Sequence, residues 1–281
     1  TPDLTNVVSI GDYAFSGCVS LLQTPDLTNV VSIGDYAFSG CALLTAITFG
    51  SDPKIESLGA SSFENCSSIS KFNSSVVGEM IIPNSVVTIA SSAFKNLNLI
   101  TKVVLPNSVN YLGDFVFSGF SSLSYIELPF VGNSISATGE DAYFGSIFGT
   151  SSYTNSYSAI QGSDLTYYIP KGLSKIKIGG QTIAEKALKN LISVTDLTIA
   201  DSVTSIGEGA LNGCSSLVNI TVPKVTGYNT TVTSSYDYSG GWNKDEDTFT
   251  FSTSTISASL NTEDITFNSA CNLTLKYCLT G

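Results

Sequence analysis

The 281-residue sequence contains no histidine, and all twelve of its basic residues are lysine. Without histidine there is no Ser-His-Asp or Cys-His nucleophile arrangement, no imidazole metal ligand and no ordinary general base near neutral pH. Without arginine there is no planar fork to grip phosphate or carboxylate through two parallel bonds. Charged residues make up only 12% of the chain, and the acidic ones outnumber the basic ones 23 to 12, for a formal net charge of −11. That field repels polyanions, which argues against a phosphate-driven nucleic-acid partner and against binding to anionic membranes. No stretch approaches the ~18 consecutive apolar residues of a membrane span, so no segment reads as inserting into a bilayer.

What is present is a repeat. The phrase TPDLTNVVSIGDYAFSGC occupies residues 1–18 and returns word for word at residues 24–41, a period of 23. A period of that size marks a solenoid, in which each repeat buries its apolar face only against its neighbours. The last residue of IGDYAFSGC serves as a zero mark, and Cys18, Cys41, Cys66, Leu97, Phe120, Leu191 and Cys214 are equivalent to it. From Leu97 the same offsets lead to Ile100, Val103, Leu105, Pro106, Val109 and Leu112, and from Leu191 to Val194, Leu197, Ile199, Ala200, Val203 and Ile206. The pairs Val103/Leu105, Ile126/Leu128, Leu197/Ile199 and Ile220/Val222 alternate with polar residues, the period of a half-buried strand. Ahead of the zero mark, Ala14, Phe15 and Cys18 share one side of a single helical turn. The expected fold is therefore an α/β repeat solenoid, mostly β, with one strand and one short helical or 3-10 turn per repeat.

The phrase IGEGALNGCSSLVNITVP at residues 206–223, with its equivalents along residues 1–223, resembles the BspA-like branch of the leucine-rich-repeat family. It departs from other leucine-rich repeats in lacking the LxxLxLxxN asparagine ladder. The resemblance implies a curved leucine-rich-repeat right-handed superhelix on a bacterial or protozoan cell surface, used for adhesion or recognition. It also implies that no catalytic motif or cofactor travels with the repeats. Fold transfers through such a resemblance and the ligand does not. The chain opens inside a repeat, without a charged n-region or apolar h-region, and so is expected to be a mature or trimmed fragment whose signal peptide and anchor lie outside it.

Six cysteines in an extracellular context would ordinarily indicate a disulfide framework. Cys18, Cys41, Cys66 and Cys214 instead share the position that other repeats fill with Leu97, Phe120 and Leu191, so they are expected to be buried free thiols acting as small hydrophobes. Stacked rungs about 4.8 Å apart point their Cβ atoms in parallel, which is poor disulfide geometry. Cys271 and Cys278 lie outside the repeats, and a bridge between them would need an intervening turn.

Two breaks interrupt the repeat. Residues 130–169 form an insert rich in Gly, Ser and aromatics, and an FGxIFG core followed by YIPxxLxxIxIxGG recurs in the BspA-like family. Phe144, Ile147 and Phe148 are expected to plug the core, whereas Tyr153 and Tyr157 are expected to face solvent as contact residues. After Pro223 the phrase vanishes and only strand alternation persists, as in Phe249/Phe251 and Leu273/Leu275, so residues 224–281 read as a β-rich C-terminal cap or the start of a further β module. Asn243, Asp245, Glu246 and Asp247 are similar to the opening of a calcium loop but lack its glycine and terminal glutamate, and read as a solvated turn. The N-x-[ST] matches at Asn65, Asn73, Asn219, Asn229 and Asn272 are of the number that a chain this rich in Asn, Ser and Thr produces by chance.

Side chains alternating with the buried pairs form the exposed face of the strand ladder, the usual leucine-rich-repeat binding surface. The candidate ligand-binding residues are Lys102, Tyr125, Glu127, Lys175, Lys177, Asp196, Thr198, Asn219 and Thr221 on that face, with Tyr153 and Tyr157 on the insert. Three functions fit: a monomeric surface module binding an extracellular protein or glycan, a structural spacer, and a carbohydrate-active enzyme using Glu140 and Asp141. The last is disfavoured because adjacent carboxylates rarely face one substrate at the ~5–9.5 Å separations that glycosidases use. No metal and no cofactor are expected.

Overall fold

The computed structural model describes residues 6–222 apart from 181, 201, 204 and 208, and beyond them only the backbones of short strands between residues 231 and 275. Two parallel ladders run side by side through the molecule. The shorter pairs Ser9–Ile10, Ser32–Ile33, Ser57–Leu58, Thr88–Ile89 and Tyr111–Leu112, and Thr182–Ile183 pairs with Ser205–Ile206 in the same way. The longer has nine strands: Ala46–Ile47, Lys71–Phe72, Glu79–Ile81, Lys102–Val104, Tyr125–Leu128, Lys175–Ile178, Asp196–Ile199, Asn219–Val222 and Asn272–Leu275. The result is a β-solenoid with almost no helix, and its core is the column of residues selected by the repeat offsets. Ile100, Val103, Leu105, Val109 and Leu112 are all buried, as are Val194, Leu197, Ile199, Val203 and Ile206.

The turn written by IGDYAFSGC satisfies its backbone in alternation. Ala14, Ser16 and Cys18 donate N–H to the carbonyl three residues back, whereas Tyr13, Phe15 and Gly17 donate to Asp35, Ala37 and Ser39 of the next rung at 2.7–2.8 Å. Each turn is thus tightened like a 3-10 helix and simultaneously zipped to its neighbour, with every N–H from Tyr13 to Cys18 paired. Phenylalanine rings stack along this edge, Phe15 on Phe38 at 5.0 Å and Phe38 on Phe63 at 5.4 Å. The turn has two positive-φ positions, and the second is filled by Gly17, Gly40, Asn65, Asn96, Gly119, Asn190 and Gly213. Where two asparagines are adjacent, Asn96 donates from its side-chain amide to Asn65 at 2.7 Å, so a short asparagine ladder exists at a position different from the family motif sought in the sequence.

The repeats that begin at Cys41, Leu97 and Leu191 each make two strands, one in each ladder or its continuation, where the alternation predicts one, and the repeat between Cys66 and Leu97 makes three. There the chain makes Lys71–Phe72, loops over residues 73–78, and returns as Glu79–Ile81 parallel to the strand it has just left. The shorter ladder has no counterpart, since Ser57–Leu58 pairs directly with Thr88–Ile89. The longer ladder therefore holds an extra strand at this rung. Gly78, at φ 85°, closes the loop, and its carbonyl accepts both the N–H (2.8 Å) and the hydroxyl (3.1 Å) of Thr101.

The insert rebuilds the turn edge of a rung. Phe144–Ile147 forms a 3-10 turn that occupies the turn edge between Phe115–Phe117 and Ala187, accepting from Phe115 and Phe117 and donating from Phe144 to Ala187. Phe144, Ile147 and Phe148 are fully buried, as expected. Ser156–Gln161 and Leu165–Pro170 then form an antiparallel hairpin before the chain rejoins the longer ladder.

Candidate binding face

Parallel register fixes two rows of outward side chains on the longer ladder. The first reads Ala46, Lys71, Glu79, Lys102, Tyr125, Lys175, Asp196, Asn219, and the second Ile81, Val104, Glu127, Lys177, Thr198, Thr221. Nine of the eleven sequence-derived candidates fall on these rows. The strands explain why: with alternate positions locked into the core, every intervening residue is forced outward.

The charges on this face pair with one another. Lys102 Nζ lies 2.8 Å from Glu79 Oε1 and 5.6 Å above the ring of Tyr125. Glu79 accepts a second bond from Ser74, and the Lys102 ammonium and that hydroxyl together hold its carboxyl below the usual glutamate range. Glu127 accepts from Lys177 at 2.6 Å and from the Tyr125 hydroxyl at 3.1 Å. Burial, reinforced by the Glu127 charge, pushes the Tyr125 phenol up to about 12. Asp196 is held low by hydrogen bonds from Thr195 and Asn219, with Lys175 adding its charge. Beside the second row, an open groove of about 390 Å³ is bordered by Asn84, Val104, Pro106, Asn107 and Glu127.

Tyr153 and Tyr157 are not brought to this face, and neither stands free in solvent. Tyr153 is half-buried and donates its hydroxyl to the Tyr168 carbonyl at 3.1 Å. Tyr157 packs against the core and meets the Ser193 hydroxyl at 3.4 Å. Burial raises both phenols. The hairpin folds back onto the rungs and covers them, which alternation within a six-residue strand does not reveal. The sequence also gave no sign of Gln161, a fully buried side chain that accepts from Gly145 N–H at 2.7 Å and donates to the Lys189 carbonyl at 3.2 Å, clamping hairpin, 3-10 turn and next rung together.

Cys41, Cys66 and Cys214 are buried free thiols, each donating to a carbonyl of the preceding rung. Cys18 corrects the expectation, because it is exposed: the first rung has no described neighbour on its outer side to cover it. Cys271, Cys278 and residues 245–247 lie outside the described residues. Glu140 and Asp141 are both exposed on the 3-10 turn Gly139–Ala142. Burial, with the nearby Asp141 charge, raises the carboxyl of Asp114. Among the described residues no group of three His, Cys, Asp or Glu side chains is placed to hold a metal ion, and no helix is long and apolar enough to cross a membrane.

The sequence profile described as the BspA type leucine rich repeat region matches in six copies, over residues 3–76, 70–179 and 173–280. No curated protein matches. Among solved structures the chain is similar to a leucine rich cell surface protein from Faecalibacterium prausnitzii, at 20% identity and TM-score 0.40 over 88% of this chain and 69% of that one. It is also similar to the leucine rich repeat protein of T. pallidum (21%, TM-score 0.39, 75% and 72%). A leucine-rich repeat protein from Bacteroides ovatus is a third (20%, TM-score 0.32, 97% and 79%).

Proposed function

Because the chain belongs to the BspA-type leucine-rich repeat family, we propose that it is a non-catalytic recognition module of an extracellular cell surface, binding a protein or glycan through the two ladder rows. One observation carries the proposal: the first row is in register across eight strands and the second across six, so Lys102, Tyr125, Lys175, Asp196 and Asn219 form one continuous line of contact groups on a rigid support. Tyr125 is the anchor. Its ring offers large contact area at low entropy cost, and its position is fixed by Lys102 on one side and Glu127 on the other. The groove beside Glu127 gives a polar ligand a second place to hold. The module acts as a monomer in this proposal.

A second proposal, that of a structural spacer, is favoured by the internal pairing of Glu79 with Lys102 and Glu127 with Lys177, which leaves little unsatisfied charge to attract a partner. Binding to a panel of extracellular-matrix proteins, mucins and glycans separates the two. The recognition proposal requires at least one specific ligand whose affinity falls about tenfold or more in a Tyr125→Ser, Lys175→Ser double variant. A variant altered at half-buried Tyr153 serves as the control. Absence of any specific ligand, or binding indifferent to the double variant, favours the spacer.

A further inference from the structure

The phrase Pro-Asn-Ser-Val occurs at residues 83–86 and again at 106–109, in consecutive rungs. In each copy the valine donates its N–H to the proline carbonyl, Val86 to Pro83 at 3.0 Å and Val109 to Pro106 at 3.3 Å. Both copies are therefore the same tight turn leaving the longer ladder. The second residue of such a turn is turned outward, and Asn84 and Asn107 are both exposed. Neither carboxamide makes a hydrogen bond among the described residues, whereas those of Asn96 and Asn190 are bonded to other parts of the chain. Two amides thus stand one rung apart, about 4.8 Å, each with a donor and an acceptor free.

Both amides border the groove of about 390 Å³. Register draws its walls from three successive strands, because Val104 pairs with Ile81 on one side and with Glu127 on the other. The Val104 side chain and the Pro106 ring, both half-buried, supply an apolar strip between Asn84 and Glu127. Glu127 is fixed in advance, one oxygen accepting from Lys177 at 2.6 Å and the other from the Tyr125 hydroxyl at 3.1 Å. Among the described residues it is the one charged group that lines the groove. The strand carrying Val104 is paired on both sides, so no backbone edge is open here to an extended peptide.

We infer that this groove is a subsite for a neutral, hydroxyl-rich glycan, which rests on the recognition reading above and gives it a ligand class. A pyranose ring carries C–H groups on its faces and hydroxyls on its rim. Val104 and Pro106 offer the apolar strip that the first needs. The two carboxamides serve the second, since each donates and accepts at once, as a hydroxyl does. One sugar unit is close in length to one rung step, so a glycan laid along the solenoid axis meets Asn84, Asn107 and Glu127 in turn. An anionic sugar would bring its charge to the Glu127 carboxylate in a chain of net charge −11, and is disfavoured. The following turn reads Pro129-Phe130 with Phe130 buried, so the line of amides stops at two.

The test is calorimetric titration of the 281-residue protein with soluble neutral gluco-, manno- and galacto-oligosaccharides, and with uronic-acid oligosaccharides as the anionic counterpart. It is repeated on an Asn84→Ala, Asn107→Ala double variant. Both side chains are exposed and bonded to nothing described, so the variant keeps the parent's thermal midpoint. At least one neutral series binds the parent, and its affinity falls about tenfold or more in the variant, as loss of two ligand hydrogen bonds does. A glycan held equally well by both proteins, or bound only when anionic, overturns the groove assignment. Recognition by the ladder rows survives that result if the Tyr125→Ser, Lys175→Ser variant loses the same glycan. Absence of binding to every series also overturns the inference, and the wider reading is then decided by the protein ligands of the panel. A lowered midpoint in the Asn84→Ala, Asn107→Ala variant counts against it as well, because the amides would then be holding the turns.

Discussion

The thiol of Cys66 donates a hydrogen bond to the carbonyl of Phe38, one rung back and 28 residues earlier in sequence, at 3.0 Å. Cys41 makes the same contact with Phe15 and Cys214 with Leu188, so where this apolar position holds a buried cysteine the thiol also donates weakly across rungs. The adjacent, hydrogen-bonded Cys41 thiol, with burial second, raises the Cys66 thiol, and burial pushes Cys214 up to about 12. Native alkylation followed by peptide mass mapping should therefore label Cys18 and leave Cys41, Cys66 and Cys214 unmodified until the protein is unfolded. Native labelling of Cys66 at the rate of Cys18 would contradict this packing.

Ser62 is fully buried and its hydroxyl has no partner among the described residues. It occupies the position that other rungs give to Ala37, Ala93, Ala187 and Ala210, each fully buried. A buried hydroxyl without a partner keeps its desolvation cost and gains nothing for it. Ser62→Ala should stabilise the protein by about 1 kcal/mol, seen as a higher urea midpoint. A lower midpoint would mean that the hydroxyl has a partner after all.

At Gly113 and Gly207, each of which follows a short strand, the preceding rung approaches too closely for a side chain. A Cβ on Gly113 would sit 2.1 Å from the Ser91 backbone nitrogen, and one on Gly207 2.4 Å from that of Glu185. Backbone cannot move aside as a side chain does, so Gly113→Ala should cost more than about 2 kcal/mol, whereas Gly11→Ala stays within about 0.5 kcal/mol. Equal thermal shifts for the two variants would show that rung spacing does not set the residue.

The same contrast explains what could be read from the sequence. The offsets from Leu97 and Leu191 located the core and, by exclusion, both outward rows, because a strand allows only two faces. Phe144 and Phe148 were legible as core plugs because the FGxIFG core recurs in the family that the repeats resemble. The extra strand Glu79–Ile81 was not, since its only trace is a separation of 31 between Cys66 and Leu97 in place of 23. Exposure of Cys18 follows from its place at the edge of the stack, which no local pattern records. Coverage of Tyr153 and Tyr157 depends on a hairpin folding back on distant rungs, and the clamp by Gln161 depends on the same long-range packing.

Two carboxylates should report opposite responses to acid. Glu79, held low by Lys102 and Ser74, contributes stability that is present above its ordinary value of 4.5 and is lost as pH falls through its lower folded value. Asp114, raised by burial and by Asp141, prefers its proton in the folded state. Its charged form therefore opposes folding at neutral pH, and the opposition is relieved as pH drops through the raised value towards the ordinary 3.8. Urea midpoints across this range should show Glu79→Gln lowering stability at neutral pH and converging on the parent protein in acid. Asp114→Asn should raise stability at neutral pH and lose that advantage over the same interval. If both variants shift in the same direction at neutral pH, either the Glu79 pairing on the ladder or the desolvation of Asp114 beneath the insert has been misassigned, and the sign identifies which.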